Sequence, residues 1–380
     1  MIYLDNAATS FPKPETVKNE VARCISEYCG NPGRASHRLA AEAAEKIYEC
    51  RDSLSELFGL GLPENVFFTQ NATYALNTVI KGVIRNGDHV IISDMEHNSV
   101  FRPVYRLAKE KRISFDVFRT HPASEITHRI EKLIRPNTRL IVCTHCPNIS
   151  SQVLPIAEIG EICRQKKIIF AVDASQSAGH IPIDMRKMKI DALCIPAHKG
   201  LYGIQGCGAV CLNEGVLLDT LAEGGNGVNS LDGDMPSLSP ERYEAGTPPT
   251  PSIAALCEGV REIQRIGLEN ISSKEKRLHR YAVSSLERIN GVKIYEKDTS
   301  GSVLLFNVNG TPSDIIASSL GKLDVCTRGG YHCSYLGHST LNTLKLGGVR
   351  VSFGIFNTFE DVDSLCEKLG YVIKRRAYSE

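Results

Sequence analysis

Two residues in this sequence call for a chemical explanation. They sit in "DASQSAGHIPIDMRKMKIDALCIPAHKG", where Asp173 closes one apolar run and Lys199, behind His198, follows the next. A carboxylate at a buried strand end needs a cation or hydrogen-bond donors, so one reading is an ion pair between the two. The other is a pyridoxal phosphate site, with the lysine condensing with the cofactor aldehyde and the aspartate pairing with the pyridinium nitrogen to keep the ring an electron sink. Spacing alone leaves both open.

Other polar residues follow apolar runs in the same way. Thr73 lies in the first turn of an Asn-led helix start, "NATYALN", which serves as an ordinary cap or as a phosphate cradle. His97 could cap a helix or stack on a flat ring, and Asn148 and Gln176 could serve their own loops or bond a phenolic oxygen. Far downstream, "TRGGYHCSYLGH" places Cys333 among glycines and polar residues, whereas Cys163, Cys194 and Cys211 sit in apolar runs as inert hydrophobes. Arg328 and His332 are expected to favour a Cys333 thiolate. "CTHC" at 143–146 lacks a second ligand pair and reads as a strand end leading to Asn148, with no metal expected.

The elements that must position these residues are legible as short runs rich in Val, Ile and Phe: 65–69, 89–93, 139–144, 167–172, 191–195 and 208–212. Runs this continuous suit strands covered on both faces, and helix-like segments separate them, so the chain to about residue 215 reads as an open α/β sheet. Ligands in such sheets bind beyond the carboxyl ends of the strands, where Thr73, His97, Asn148, Asp173, Gln176, His198 and Lys199 fall. A Gly-, Pro- and Ser-rich connection from 223 to 251 leads to helices near 251–267 and 272–290. A strand "SVLLFNV", a helix near 312–321, a strand "VRVSF" and a helix near 358–373 follow, as a smaller α+β unit.

Length and charge fit this picture. The 380 residues suffice for one large and one small domain, and 44 basic against 43 acidic side chains give no electrostatic reason to expect nucleic acid. No run is long and apolar enough for a bilayer, and the N-terminus lacks a leader pattern, so no membrane association and a cytoplasmic location are expected. Thirteen scattered cysteines suit reduced thiols.

In order along the chain, "YLDNAATS", "NPGRASH", "NATYALN", "EHNSV", "VDASQSAGH", "AHKGLYG", "EAGTPP", "RGGYHC" and "VRVSFGIFNT" resemble the motifs of the cysteine desulfurase and selenocysteine lyase family, in the form of its second group. The resemblance implies a type I pyridoxal-phosphate-dependent transferase fold. Residues 15–245 would form a large α/β domain on a mostly parallel seven-stranded sheet, and residues 1–14 and 246–380 a small α+β domain. It implies a homodimer with shared sites, pyridoxal 5'-phosphate as cofactor, L-cysteine or L-selenocysteine as substrate, and a persulfide-acceptor protein.

At matching positions Lys199 would be the Schiff-base lysine and acid-base, Asp173 would hold the ring nitrogen and His97 would stack on the ring. Gln176 and Asn148 would address the phenolic oxygen, and Thr73 and His198 the phosphate. Thr247 would reach the phosphate of the neighbouring subunit. Cys333 would accept the sulfur, Arg350 would bind the substrate carboxylate, and Arg34 would face the site.

The chain departs from the family pattern at Pro196, where a phosphate-binding hydroxyl is usual, at Tyr331, where histidine is common, and in an extended 334–349 segment. Besides desulfuration of cysteine to alanine and an enzyme persulfide, the same residues suit a selenocysteine lyase, an aminotransferase of the same fold, or a thiol-rich scaffold without activity.

Overall fold

The computed structural model describes residues 1–33, 36–297 and 301–377. Seven strands form the main sheet, lying in space in the order Val66–Thr69, Gly208–Leu212, Ala192–Pro196, Ile169–Asp173, Thr138–Thr144, His89–Ser93 and Ser114–Phe118. Gly208–Leu212 pairs antiparallel with both its neighbours, and every other pairing is parallel. Successive residues of one strand enter opposite cores. Ile91, Ile141 and Val172 pack on one face, and Val90, Ile92, Val142 and Ala171 on the other. Burial on both faces is why these strands are written as unbroken apolar runs. Ser114–Phe118 lies at the sheet edge with four of its five residues partly or fully exposed, and its sequence carries no such run.

The Asp173 and Lys199 turns are drawn together by glycine. Gly179 has φ +82°, and a Cβ on it would stand 2.2 Å from the carbonyl oxygen of Gly200. Only a residue without a side chain permits that approach.

No helix or strand occurs between Leu212 and Thr250. Glu244 anchors this long connection through an ion pair to Arg51 at 2.7 Å, and the Tyr243 ring packs 4.6 Å from that of Phe67. Helix Thr250–Ile266 then buries Ile253, Leu256 and Val260 in the core of the main sheet. The next helix, Leu268–Leu286, contributes Ile271 to that core and Leu278 and Ala282 to a second one.

The second core lies under an antiparallel sheet ordered Val349–Ser352, Val303–Val308, Val292–Tyr295, backed by helices Ser313–Gly321 and Phe359–Ala377. The N-terminus belongs to it: Leu4 is in this core, and Ile2–Tyr3 pairs in parallel with Val325–Cys326. A short helix, Tyr335–Thr340, occupies the extended segment after Cys333.

Candidate active site

Asp173 and Lys199 stand at the ends of adjacent strands. Asp173 is 3% exposed, and its Oδ1 accepts a hydrogen bond from the Ser175 amide at 2.9 Å. Among the described residues no ion pair joins it to Lys199, so the simple salt-bridge reading finds no support. The Lys199 ammonium is destabilised chiefly by burial, with Asp173 opposing and Arg350 and Arg328 adding to the effect. Its pKa falls to about 8, within reach of a free amine near neutral pH.

One cavity brings together Thr73, His97, Asn148, Asp173, Gln176 and Lys199, with His198 and Pro196 also on its wall. His97 caps helix Asn98–Lys109: its Nδ1 accepts from the Ser99 amide at 3.1 Å and lies 2.8 Å from the Ser99 hydroxyl. Burial lowers its pKa to about 4, so the ring is neutral and carries its proton on Nε2. The Ser99 hydroxyl is in turn 2.8 Å from that of Thr73, in the first turn of helix Ala72–Val83, whose N-cap is Asn71. Ser99 was not singled out from sequence, because a serine inside a helical run carries no signal until the cap geometry turns it toward the cavity.

Burial also lowers His198 to about 4, and its Nδ1 is buried without a hydrogen-bond partner among the described residues. Its carbonyl gathers donors from the N-terminal segment: the Thr9 hydroxyl at 2.9 Å and the Lys13 amine at 2.8 Å. Gln176 spends part of its amide on the Ala7 carbonyl, at 2.9 Å.

Arg350 is 2% exposed. Its Nη2 donates to Asp5 at 2.7 Å, its Nη1 to the Asn148 carbonyl at 3.2 Å, and its Nε is buried with no partner among the described residues. Asp5 also pairs with Arg328 at 3.1 Å and so holds two cations. This aspartate sits inside the quoted "YLDNAATS", yet nothing in its spacing announces a contact across almost the whole chain.

Cys333 is exposed, while His332 beside it is buried. Both have left-handed backbones, φ +54° and +51°. The Asn98 amide donates to the Cys333 carbonyl at 2.7 Å, and the Asn148 side chain to the His332 carbonyl at 2.6 Å, so the thiol turn rests on the rim of the cavity. His332, expected with Arg328 to favour the Cys333 thiolate, brings no positive charge to it. Burial, reinforced by Arg350, drives its pKa to about 3, and it is neutral.

Thr247 lies apart, exposed on a separate groove with Asn31, Gly33 and Arg51. Arg34 lies outside the described residues. Cys143 of the C-x-x-C is fully buried in its strand, its thiol donating to the Thr144 carbonyl at 3.2 Å.

The cavity fits pyridoxal phosphate. It offers an amine of lowered pKa, a carboxylate on the adjacent strand and a neutral imidazole on one wall. Asn148 Oδ1 and His198 Nδ1 are buried there with no hydrogen-bond partner among the described residues, a cost that a polar ligand would relieve.

A family model described as Aminotransferase class-V matches residues 2–365. A "Probable cysteine desulfurase" of Pyrococcus abyssi is 30% identical, covering 98% of this chain and 94% of the relative. One of the same description from Methanothermobacter thermautotrophicus is 30% identical over 97% and 94%. The apo structure of a cysteine desulfurase from Thermococcus onnurineus superposes with a TM-score of 0.89 at 28% identity, over 98% of this chain and 94% of that one. A cysteine desulfurase of Escherichia coli gives the same score at 22% identity and speaks to the fold alone.

Proposed function

Since the chain belongs to the class-V aminotransferase family, we propose that it is a pyridoxal-phosphate-dependent cysteine desulfurase, converting L-cysteine to L-alanine and leaving the sulfur on Cys333 as a persulfide. The observation that carries this reading is the exposed Cys333, fixed through Asn98 and Asn148 to the rim of the cavity that contains Lys199. A transaminase has no use for a thiol there.

Lys199 would hold the aldehyde end of the cofactor, Asp173 the ring nitrogen and His97 the ring face, with Asn148 and Gln176 at the phenolic oxygen. Thr73 and His198 would hold the phosphate. Ser99, which shares a hydrogen bond with Thr73, would supply the hydroxyl missing at Pro196. Thr247, remote from its own chain's cavity, would serve the neighbouring subunit of a homodimer. Pyridoxal phosphate supplies, when bound, an electron sink for the pair left at the substrate α-carbon.

The protein residues do the rest. Arg350, held by Asp5, offers its unpartnered Nε to the substrate carboxylate. Lys199 takes the α-proton. The Cys333 thiolate attacks the substrate sulfur: an S–S bond forms, the C–S bond breaks, and its electron pair goes to the β-carbon, which is protonated to the methyl group. Lys199 then returns a proton to the α-carbon to complete alanine. The persulfide then awaits an acceptor protein or thiol.

The test is incubation with L-cysteine and a reductant, measuring alanine and sulfide. Wild type should form both in equal amounts. Lys199→Ala should form neither and lose the cofactor's visible absorbance band. Cys333→Ala should keep the band and lose sulfide release. Sulfide release by Lys199→Ala at the wild-type rate would refute the mechanism.

A further inference from the structure

The thiol turn is held by a line of hydrogen bonds that the reaction above does not use. His332 Nε2 lies 3.1 Å from the Arg328 carbonyl oxygen, which can only accept, so Nε2 carries a proton. The ring is neutral, as its burial requires, and its Nδ1 is therefore a bare acceptor. That Nδ1 is 3.1 Å from His338 Nε2, which must be the donor. His338 is 0% exposed and burial lowers it to about 4, so its own Nδ1 accepts in turn from the Thr343 hydroxyl at 2.6 Å.

Every direction in the line is thus fixed: Thr343 to His338 to His332 to the Arg328 carbonyl. The two imidazoles stack with centroids 5.4 Å apart and planes 11° from parallel. The line ends on the strand of Arg350, whose amide donates to the same Arg328 carbonyl at 2.8 Å.

The restraint has something to restrain. Two consecutive residues with a Cβ, His332 and Cys333, both adopt the left-handed region, which is unfavourable and persists only where surroundings over-determine it. Backbone and Asn148 contacts fix the carbonyls of the pair. The imidazole line is what fixes the side chain between them.

We propose that the buried pair His338 and His332, fed by Thr343, is a positioning device that locks the His332–Cys333 turn in its left-handed form and presents the sulfur-accepting thiol to the cavity. His338 touches neither thiol nor substrate, so it is a positioning residue. The proposal rests on the desulfurase reading and explains why the extended segment after Cys333 folds back as helix Tyr335–Thr340.

The test compares His338→Gln, whose amide nitrogen can replace Nε2 as donor, with His338→Met, which fills the space without one, and with Thr343→Val, which removes only the distal donor. All are made in cofactor-loaded protein carrying Cys29→Ser, leaving Cys333 as the exposed cysteine. Three quantities are read: alanine formation, exchange of the cysteine α-hydrogen in heavy water, which needs Lys199 and not the thiol, and the iodoacetamide alkylation rate of Cys333 by mass spectrometry.

His338→Met should lose alanine formation by about tenfold or more through kcat at an unchanged KM, as sub-ångström misplacement of a reacting group does. It should shift the alkylation rate severalfold and retain α-hydrogen exchange. His338→Gln should stay within about twofold of wild type, and Thr343→Val should fall between. Wild-type behaviour of His338→Met, equal impairment in His338→Gln, or loss of exchange along with alanine would each overturn the proposal. If wild type itself neither exchanged nor desulfurated cysteine, the desulfurase reading would fail instead, and the alkylation rates of the variants would still decide the positioning role.

Discussion

Lys199 keeps its proton weakly because burial outweighs Asp173, and this has a measurable consequence. Association of pyridoxal phosphate with ligand-free protein, followed by absorbance, should rise with pH through a midpoint near 8, far below the ordinary lysine range. A midpoint near 10 would show that the amine is solvated. Asp5 holds Arg350 through a charge-assisted hydrogen bond. Asp5→Asn keeps an acceptor oxygen and removes the charge, so the KM for cysteine should rise roughly tenfold with little change in kcat, in line with the strength of a charge-assisted bond.

Glu96 is buried, and burial raises its pKa to about 8 against the hydrogen bonds from Ser93 and the Thr144 amide. A carboxyl whose folded pKa exceeds its unfolded value binds more protons folded than unfolded, so its contribution is full below the unfolded value of 4.5 and lost as pH rises through about 8. Glu96→Gln should flatten the fall in melting temperature between those limits, and an unchanged slope would count against a neutral Glu96. At this scale the sequence revealed residues that directly follow apolar runs, such as Asp173, His97 and Lys199. It hid Asp5, Ser99 and His338, whose roles depend on contacts made only after folding.

At the scale of elements, legibility followed burial. The strands buried on both faces announced themselves, while Ser114–Phe118 and Val292–Tyr295, at sheet edges, have mixed exposure and no clean period. The helix Tyr335–Thr340 is too short for a periodic signal and is set by its packing, with Phe101 stacked 5.8 Å from Tyr335. The close approach of Gly179 to Gly200 was equally silent, since two glycines among many carry no mark of contact. Gly179→Ala should force the Asp173 and Lys199 turns apart, at a cost of about 1–3 kcal/mol in urea denaturation, together with weaker cofactor retention. Full stability and retention in that variant would mean that the turns can shift freely.

For the whole molecule, Thr247 lines an exposed groove apart from the Lys199 cavity, and if it serves a neighbouring subunit as proposed the enzyme should sediment as a dimer. Mixing Lys199→Ala with Thr247→Ala subunits should then give more activity than either variant alone, because one of the two sites in the mixed dimer carries both native residues. A monomeric, fully active species would remove Thr247 from the site. The second sheet and its core were readable as a change of rhythm after the Gly- and Pro-rich connection. The sharing of helix Leu268–Leu286 between two cores was not, because an amphipathic pattern does not say which core each turn will meet.

The N-terminal segment ties these parts mechanically. Residues 2–13 pair with Val325–Cys326, anchor Asn6 to Ser352 and Asn357, lend the Ala7 carbonyl to Gln176, and end at the His198 and Lys199 carbonyls. One strap is therefore tied at one end to the smaller sheet and at the other to the Lys199 turn. Pulling that sheet away from the lysine would first have to break these bonds, so a strain on either end of the strap is felt at the other.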